Sequence, residues 1–260
     1  MKSRCLLNKV KLGLVGIILG AGLTGNINAH ENTVSKTDSS LKIGARNESF
    51  IWSYGSEYHN SSLYVQVKTK VFSDWLNAYV EASLNNPVIR NGFERPGEST
   101  ETFHISPNTH IGGFAGGLNI TIYESKNNKL AFRGDIKYTQ ISEFYETQRW
   151  ILPPYGRTDI HVNGIESIGA KAWVENNFNH FGWYAGLELS TTHARGIALT
   201  YDVGETQQSE ATYSSFNQRD NTSLKGLIGA NYDITKNWSI DADVKLGDGE
   251  YIGVGFSRRF

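Results

Sequence analysis

The last ten residues, Tyr251-Ile-Gly-Val-Gly-Phe-Ser-Arg-Arg-Phe260, alternate in character. Ile252, Val254, Phe256 and Phe260 share one parity, and Tyr251, Gly253, Gly255, Ser257 and Arg259 share the other. A period of two marks a β-strand with one apolar face, because successive side chains point to opposite sides of a sheet. The chain stops on an aromatic residue. What such a strand belongs to depends on whether the same period recurs upstream.

It recurs in nine earlier segments. Leu41, Ile43 and Ala45 alternate with Lys42, Gly44, Arg46 and Glu48. Leu63 to Val71 alternate with Tyr64, Gln66, Lys68 and Lys70, and Leu76 to Leu84 with Asn77, Tyr79, Glu81 and Ser83. A glycine-rich segment, 108–123, keeps Phe114, Leu118, Ile120 and Ile122 in phase. Leu130, Phe132, Ile136 and Tyr138 oppose Arg133, Asp135, Lys137 and Glu143. Val162, Ile168, Ala170, Ala172 and Val174 oppose His161, Lys171 and Glu175. Phe181 to Leu189 oppose Tyr184, Glu188 and Ser190. Leu224, Ile228, Ala230 and Tyr232 oppose Lys225, Asn231 and Asp233, and Trp238 to Leu246 oppose Ser239, Asp241, Asp243 and Lys245.

The connections alternate too. Those near 73–74, 126–128, 176–180 and 235–237 are short. Those after the first, third, fifth and seventh segments are longer and richer in Gly, Pro, Ser and Asn. Only Asp248-Gly249 is a short turn on the long-loop side. An even number of strands with short turns at one end and long loops at the other predicts an all-β fold. The expected architecture is a ten-stranded antiparallel transmembrane β-barrel with both termini periplasmic. A mean hydropathy of −0.39 fits a barrel whose inward face is polar. Aromatics gather at the turn end: Phe72, Trp75, Tyr123, Phe178, Phe181, Trp183, Tyr232, Trp238 and Phe260. Such rings favour the membrane interface, and Phe50, Trp52, Tyr54, Phe144 and Trp150 are the expected outer girdle. Arg258 sits on the lipid-facing parity, where charge is tolerated only near the boundary, so it is expected at the periplasmic rim.

The N-terminus reads as an export signal. Lys2, Arg4, Lys9 and Lys11 precede an apolar run from Leu12 to Leu23, and Ile27 and Ala29 suit a cut before His30. That run is shorter than the roughly 20 residues of a spanning helix. The expected organisation is a cleaved signal at 1–29, a periplasmic tail at 30–40 and the barrel at 41–260. The one cysteine, Cys5, goes with the signal, so the mature chain has no thiol chemistry. Removing those four from 25 Lys and Arg leaves 21 against 26 Asp and Glu, a net charge of −5. That balance argues against nucleic acid as a partner.

In strand number and size the chain resembles ten-stranded outer-membrane barrels, namely Opc-type adhesins and omptin proteases. The adhesin resemblance implies binding through outer loops. The omptin resemblance implies an Asp-x-His pair and a separate aspartate pair near the outer rim. Here Asp159-Ile-His161 lies one outer loop early, and Asp241-Ala-Asp243 lies in mid-strand. The second long loop offers Glu94, Glu98 and Glu101 but no aspartate pair. The omptin resemblance is therefore architectural, and no catalytic residue is assigned. Gly112-Gly113-Phe-Ala-Gly116-Gly117 has no following Lys-Ser/Thr and reads as a close approach of neighbouring strands rather than a phosphate loop. No metal-ligand spacing stands out among the histidines, and no cofactor is expected.

Two groups of residues are candidates for function. The first is a polar, salt-bridged lumen: Arg46, Glu48, Lys68, Glu81, Arg133, Asp135, Lys171, Glu188, Asp241, Asp243 and Lys245, within an inward set of ten positive and nine negative residues. The second is a loop surface of aromatics and arginines: Phe93, Arg95 and Phe103, then Arg149, Trp150, Tyr155 and Arg157, then Tyr213 and Phe216. Such residues often mark contact surfaces. The expected function is surface binding or adhesion through these loops, with a narrow porin as the alternative and a rim hydrolase behind both. The expected surroundings are outer-membrane lipid and lipopolysaccharide, and the expected ligand is a host, matrix or small-solute species.

Overall fold

The computed structural model describes residues 39–51, 56–73, 75–93, 101–125, 130–150, 156–178, 180–202, 211–219 and 222–260. The expected signal and all but the last two residues of the expected tail lie outside the described residues, as do Trp52 and Tyr54. Thirteen strands form a single sheet. They are β1 (Ser40–Ile51), β2 (Glu57–Ser73), β3 (Leu76–Phe93), β4 (Glu101–Ile105), β5 (Ile111–Ser125), β6 (Leu130–Ile141) and β7 (Phe144–Trp150). They continue with β8 (Gly156–Phe178), β9 (Phe181–Asp202), β10 (Ala211–Arg219), β11 (Ser223–Asp233), β12 (Trp238–Gly247) and β13 (Gly249–Arg259).

Ten of these close a ring: β1, β2, β3, β5, β6, β8, β9, β11, β12 and β13. Every pairing is antiparallel, and the seam joins first strand to last, from Ser40 opposite Arg259 to Phe50 opposite Gly249. Both ends of the sheet therefore lie at one end of the barrel, here called the terminal end.

The other three strands extend the wall at the opposite, hairpin end. β5 pairs with Leu76–Asn85 of β3, and β4 pairs with Ile89–Phe93 above it. β6 pairs with Ile165–Asn176 of β8, and β7 with Gly156–Val162. β11 pairs with Phe181–Ser190 of β9, and β10 with His193–Tyr201. Much of what reads as long loop is thus paired strand. The period-two signal changes there for a physical reason: above the lipid the outer face is no longer forced to be apolar.

The barrel's outside is apolar. Ile228 and Leu187 are 67% and 57% exposed, and Leu63, Leu84, Ile136, Ile168, Leu224 and Ile252 are exposed like them. A continuous ring of this kind belongs in hydrocarbon rather than water. Nine residues of β3, Leu76 to Leu84, cross it, matching the roughly 9–11 residues of a tilted spanning strand. At the terminal end Trp75, Tyr123, Phe178, Phe181, Trp183, Tyr232 and Phe260 are exposed outward. The Arg258 guanidinium lies among them, 5.1 Å from the Trp238 ring centre and 5.0 Å from that of Phe260. A cation there has aromatic faces and interfacial water for company.

Two expectations fail. Phe50 and Phe144 are not girdle residues; both are buried inside the barrel. Val162 is not on the lipid face of β8; it is fully buried. The cause is a bulge between Val162 and Gly164, where Gly164 takes φ = +132°. One extra residue reverses the parity of everything above it. Ile160 and Val162 consequently point inward and His161 outward, while Ile165 continues the inward set below.

Inside, three tyrosines lie over glycines on the neighbouring strand: Tyr64 opposite Gly44, Tyr79 opposite Gly117, and Tyr184 opposite Gly229. A Cβ at any of these glycines would run into the ring. This is the close approach anticipated for the glycine-rich β5. Gly117→Val should therefore displace Tyr79 and cost about 1–3 kcal/mol. Urea unfolding in lipid vesicles, followed by tryptophan fluorescence, reads the loss. Gly116→Ala is the control, because its Cβ would meet nothing closer than the Tyr79 carbonyl oxygen at 3.7 Å; an equal loss there would discount the ring-over-glycine account.

Candidate functional site

The inward parity of ten strands converges on a cavity of about 750 Å³. It reaches Ser40, Arg259 and Phe260 at the terminal end and Phe50, Tyr58, Ile141 and Ile165 towards the hairpin end. Arg46, Glu48, Lys68, Glu81, Arg133, Asp135, Lys171, Glu188, Asp241, Asp243 and Lys245 all line it. The structure brings this whole candidate set together.

Glu81 is the hub. Its carboxylate is buried, 2.7 Å from Arg46 Nη1 on β1 and 3.0 Å from Lys137 Nζ on β6. One acidic group on β3 thus ties three strands across the lumen. Elsewhere Lys245 pairs with Glu188 at 2.7 Å and Arg133 with Glu175 at 2.7 Å. Lys42 pairs with Asp241. The Tyr79 hydroxyl donates to Asp135 at 2.9 Å, and Asn60 Nδ2 donates to Glu48 at 3.2 Å. Lys245 also lies 4.1 Å from the Tyr251 ring centre. Charges this far from bulk water need such partners, since an unpaired one carries most of its desolvation cost.

The balance differs from expectation. Among the described residues ten cations line the cavity against seven carboxylates, Glu48, Glu81, Asp135, Glu175, Glu188, Asp241 and Asp243. Glu143 is absent from the lining because it sits in the break between β6 and β7, with its side chain 60% exposed. Asp233 faces the terminal rim, where it accepts from Arg259 Nη2 at 2.8 Å.

Above the charged zone the lumen turns apolar. Phe50, Tyr58, Ile89, Ile105, Ile111, Ile141, Phe144, Ile160, Val162, Ile165 and Ala194 form one buried cluster, drawn from β1 through β9. Phe50 and Tyr58 pack ring on ring at 4.6 Å. The charged residues expected inside line the lower lumen, whereas the filling here is apolar. The signal was present: Phe50, Ile89 and Ile141 occupy the same parity as charged or polar neighbours, towards the hairpin end of their strands.

The remaining candidates are dispersed by the wall itself. Asp159 and His161 are on the outer face of β8. Asp159 accepts from Arg157 Nε and from Thr147 Oγ1, each at 2.8 Å, and His161 stacks on Tyr145 with ring centres 3.9 Å apart. Asp241 and Asp243 line the lumen. An Asp-His pair outside and an aspartate pair inside cannot converge on one substrate. Glu94 and Glu98 lie outside the described residues, while Glu101 begins β4.

Of the loop candidates, Arg95 and Tyr155 lie outside the described residues. Phe93 and Phe103 are in the β3–β4 hairpin, Arg149, Trp150 and Arg157 in β7–β8, and Tyr213 and Phe216 in β10. Register sets Arg149 opposite Arg157, Arg157 opposite Tyr201, and Tyr213 opposite Leu199.

No protein-family model and no curated protein matches the sequence. Solved structures do match. The translocator domain of the autotransporter NalP from Neisseria meningitidis is similar over 97% of this chain and 97% of its own, with 11% identity and a TM-score of 0.46. The outer-membrane protease OmpT from Escherichia coli is similar over 89% and 99%, with 9% identity and a TM-score of 0.46. Ail, the attachment invasion locus protein of Yersinia pestis, solved with the heparin analogue sucrose octasulfate, is similar over 86% and 99%, with 14% identity and a TM-score of 0.35. The likeness is one of barrel architecture.

Because Glu81 serves two cations at once, Glu81→Gln should be far costlier than loss of a rim pair. A drop of about 3–5 kcal/mol is expected, against less than about 1 kcal/mol for Asp233→Asn at the exposed rim. Chemical unfolding of both variants in vesicles gives the comparison.

Proposed function

We propose that this protein is a surface recognition protein of the bacterial outer membrane, with its termini in the periplasm and its binding surface on the hairpins outside. The observation that carries this reading is the continuation of strand pairing past the apolar belt. In β3–β4, β7–β8 and β9–β10 the wall rises above the level where lipid requires a closed sheet. Paired strands hold their side chains at fixed spacing, so less conformational freedom is lost when a partner binds. The arginines and aromatics that populate these hairpins are the residue types that dominate binding energy at interfaces. Phe93, Phe103, Arg149, Trp150, Arg157, Tyr213 and Phe216 are the proposed contacts, with Arg95 and Tyr155 beside them in sequence. The proposed partner is a host or matrix macromolecule. No catalytic step is part of this reading.

The apolar cluster supports the same reading from the other side. An ion entering from the terminal end meets a charged cavity and then a layer of Ile, Val and Phe side chains, where it would have to shed its water. The runner-up, a narrow porin, draws on the cavity of about 750 Å³ below that layer.

Two measurements decide. In planar bilayers the purified barrel should give no stable stepwise conductance, and regular steps would transfer the protein to the porin reading. Phe144→Ala combined with Val162→Ala, which thins the apolar layer, should then raise the baseline current if that layer is the seal. In cells displaying the protein, adherence to matrix-coated surfaces should fall at least tenfold when Arg149, Trp150, Tyr155 and Arg157 are together replaced by Ala. Undiminished adherence, with the barrel still resisting SDS until heated, would remove the β7–β8 hairpin from the binding surface.

A further inference from the structure

The lumen holds cations that its carboxylates do not reach. Among the described residues Lys68 and Lys171 take part in no ion pair within 4 Å. The polar contact of Lys68 is a 3.4 Å hydrogen bond to Asn119 Oδ1, and the Lys171 ammonium lies 5.1 Å from the Trp173 ring centre. The two lysines border one region of the wall. Asn119 is the cross-strand neighbour of Asp135, and Asp135 is the cross-strand neighbour of Lys171. Arg133 stands two residues along the same face of β6.

The carboxylates of this region are already engaged. Asp135 accepts from the Tyr79 hydroxyl at 2.9 Å, and Glu175 lies 2.7 Å from Arg133 Nε. Three cations therefore face two engaged carboxylates, within a cavity lining that carries ten cations against seven carboxylates among the described residues. Uncompensated charge in a confined space is costly, and a bound counter-ion removes that cost. Each ammonium has three donors, of which Lys68 uses one on Asn119; the Arg133 guanidinium spends Nη1 on Thr121 Oγ1 at 2.7 Å and turns Nε to Glu175, which leaves its Nη2 group. Charge-assisted bonds from such donors to an oxyanion are among the strongest available to side chains.

We propose that this region of the lumen is a binding site for a small oxyanion of the phosphate or sulfate class, held between Lys68 and Lys171 with Arg133 as the third cation. The anion enters from the terminal end, where the cavity reaches Ser40 and Arg259, and the apolar cluster stops it at the other. The site is independent of the hairpin surface and stands whether or not that surface binds a partner.

The test is calorimetric titration of inorganic phosphate into the folded barrel in detergent micelles at constant ionic strength. A saturable single-site isotherm is expected, with sulfate competing. Lys68→Met combined with Lys171→Met should weaken binding at least tenfold. Lys225→Met should leave it within twofold, because Lys225 sits against the Phe50 ring at 5.4 Å, at the apolar end of the cavity. Absence of saturable heat in the wild type overturns the proposal. So does a double variant that binds as tightly as the wild type, or a Lys225 variant that weakens binding as much as the double one. Should the double variant fail to fold, judged by heat-modifiable migration, Lys68→Gln and Lys171→Gln singly carry the same test. Each is then expected to weaken binding at least threefold, and unchanged affinity in both overturns the site.

Discussion

Lipid supplies no hydrogen bonds to the backbone. Every N–H and C=O in the hydrocarbon layer must find its partner within the protein, so a sheet that crosses it has to close. Here closure is the pairing of β1 with β13 along their whole shared length, Ser40–Phe50 against Gly249–Arg259. The other features follow from it. A closed sheet has an inside and an outside, so each spanning strand must carry two chemistries at a period of two. Above the lipid the constraint lapses, and β4, β7 and β10 pair on one side while β11–β13 stop lower.

Closure also creates an interior that has to be filled, and this protein fills it in two ways. Near the terminal end the filling is ionic, organised by the Glu81 carboxylate between Arg46 and Lys137 and by tyrosine rings seated on glycines. Towards the hairpin end it is an apolar cluster that includes Ile89, Phe144 and Val162. The two fillings do different jobs. Ion pairs depend on geometry and leave room for water and small ions; close-packed aliphatic chains exclude both. Among the described residues the apolar cluster lies between the charged cavity and the hairpins.

Much of this was legible beforehand. The outward parity of Ile43, Leu63, Leu84, Ile136, Leu187 and Ile252 was readable residue by residue, because lipid contact is enforced at every second position of a spanning strand. The same parity placed Glu81, Asp135 and Lys245 inside. It misled at β8, where the bulge at Gly164 reverses the phase and turns Val162 inward and His161 outward. A glycine in a strand is a weak sign of a bulge, and the pattern on either side is locally correct. It also misled at Phe50 and Phe144, since an aromatic near a strand end reads equally as girdle or as filling.

The amino-acid pattern was enough for the class of fold, the number of spanning strands and the sidedness of the lipid-facing wall below the bulge at Gly164, because the bilayer reads those properties locally, one side chain at a time. Three things needed the closed structure. Which cation meets which carboxylate depends on strands far apart in sequence, as with Arg46, Glu81 and Lys137. Whether inward apolar residues from nine strands lie at one height depends on stagger around the ring. Which charges are left over, as Lys68 and Lys171 are, depends on both. Local chemistry fixes the face on which a side chain stands; only the circumference and shear of the barrel decide what stands opposite it.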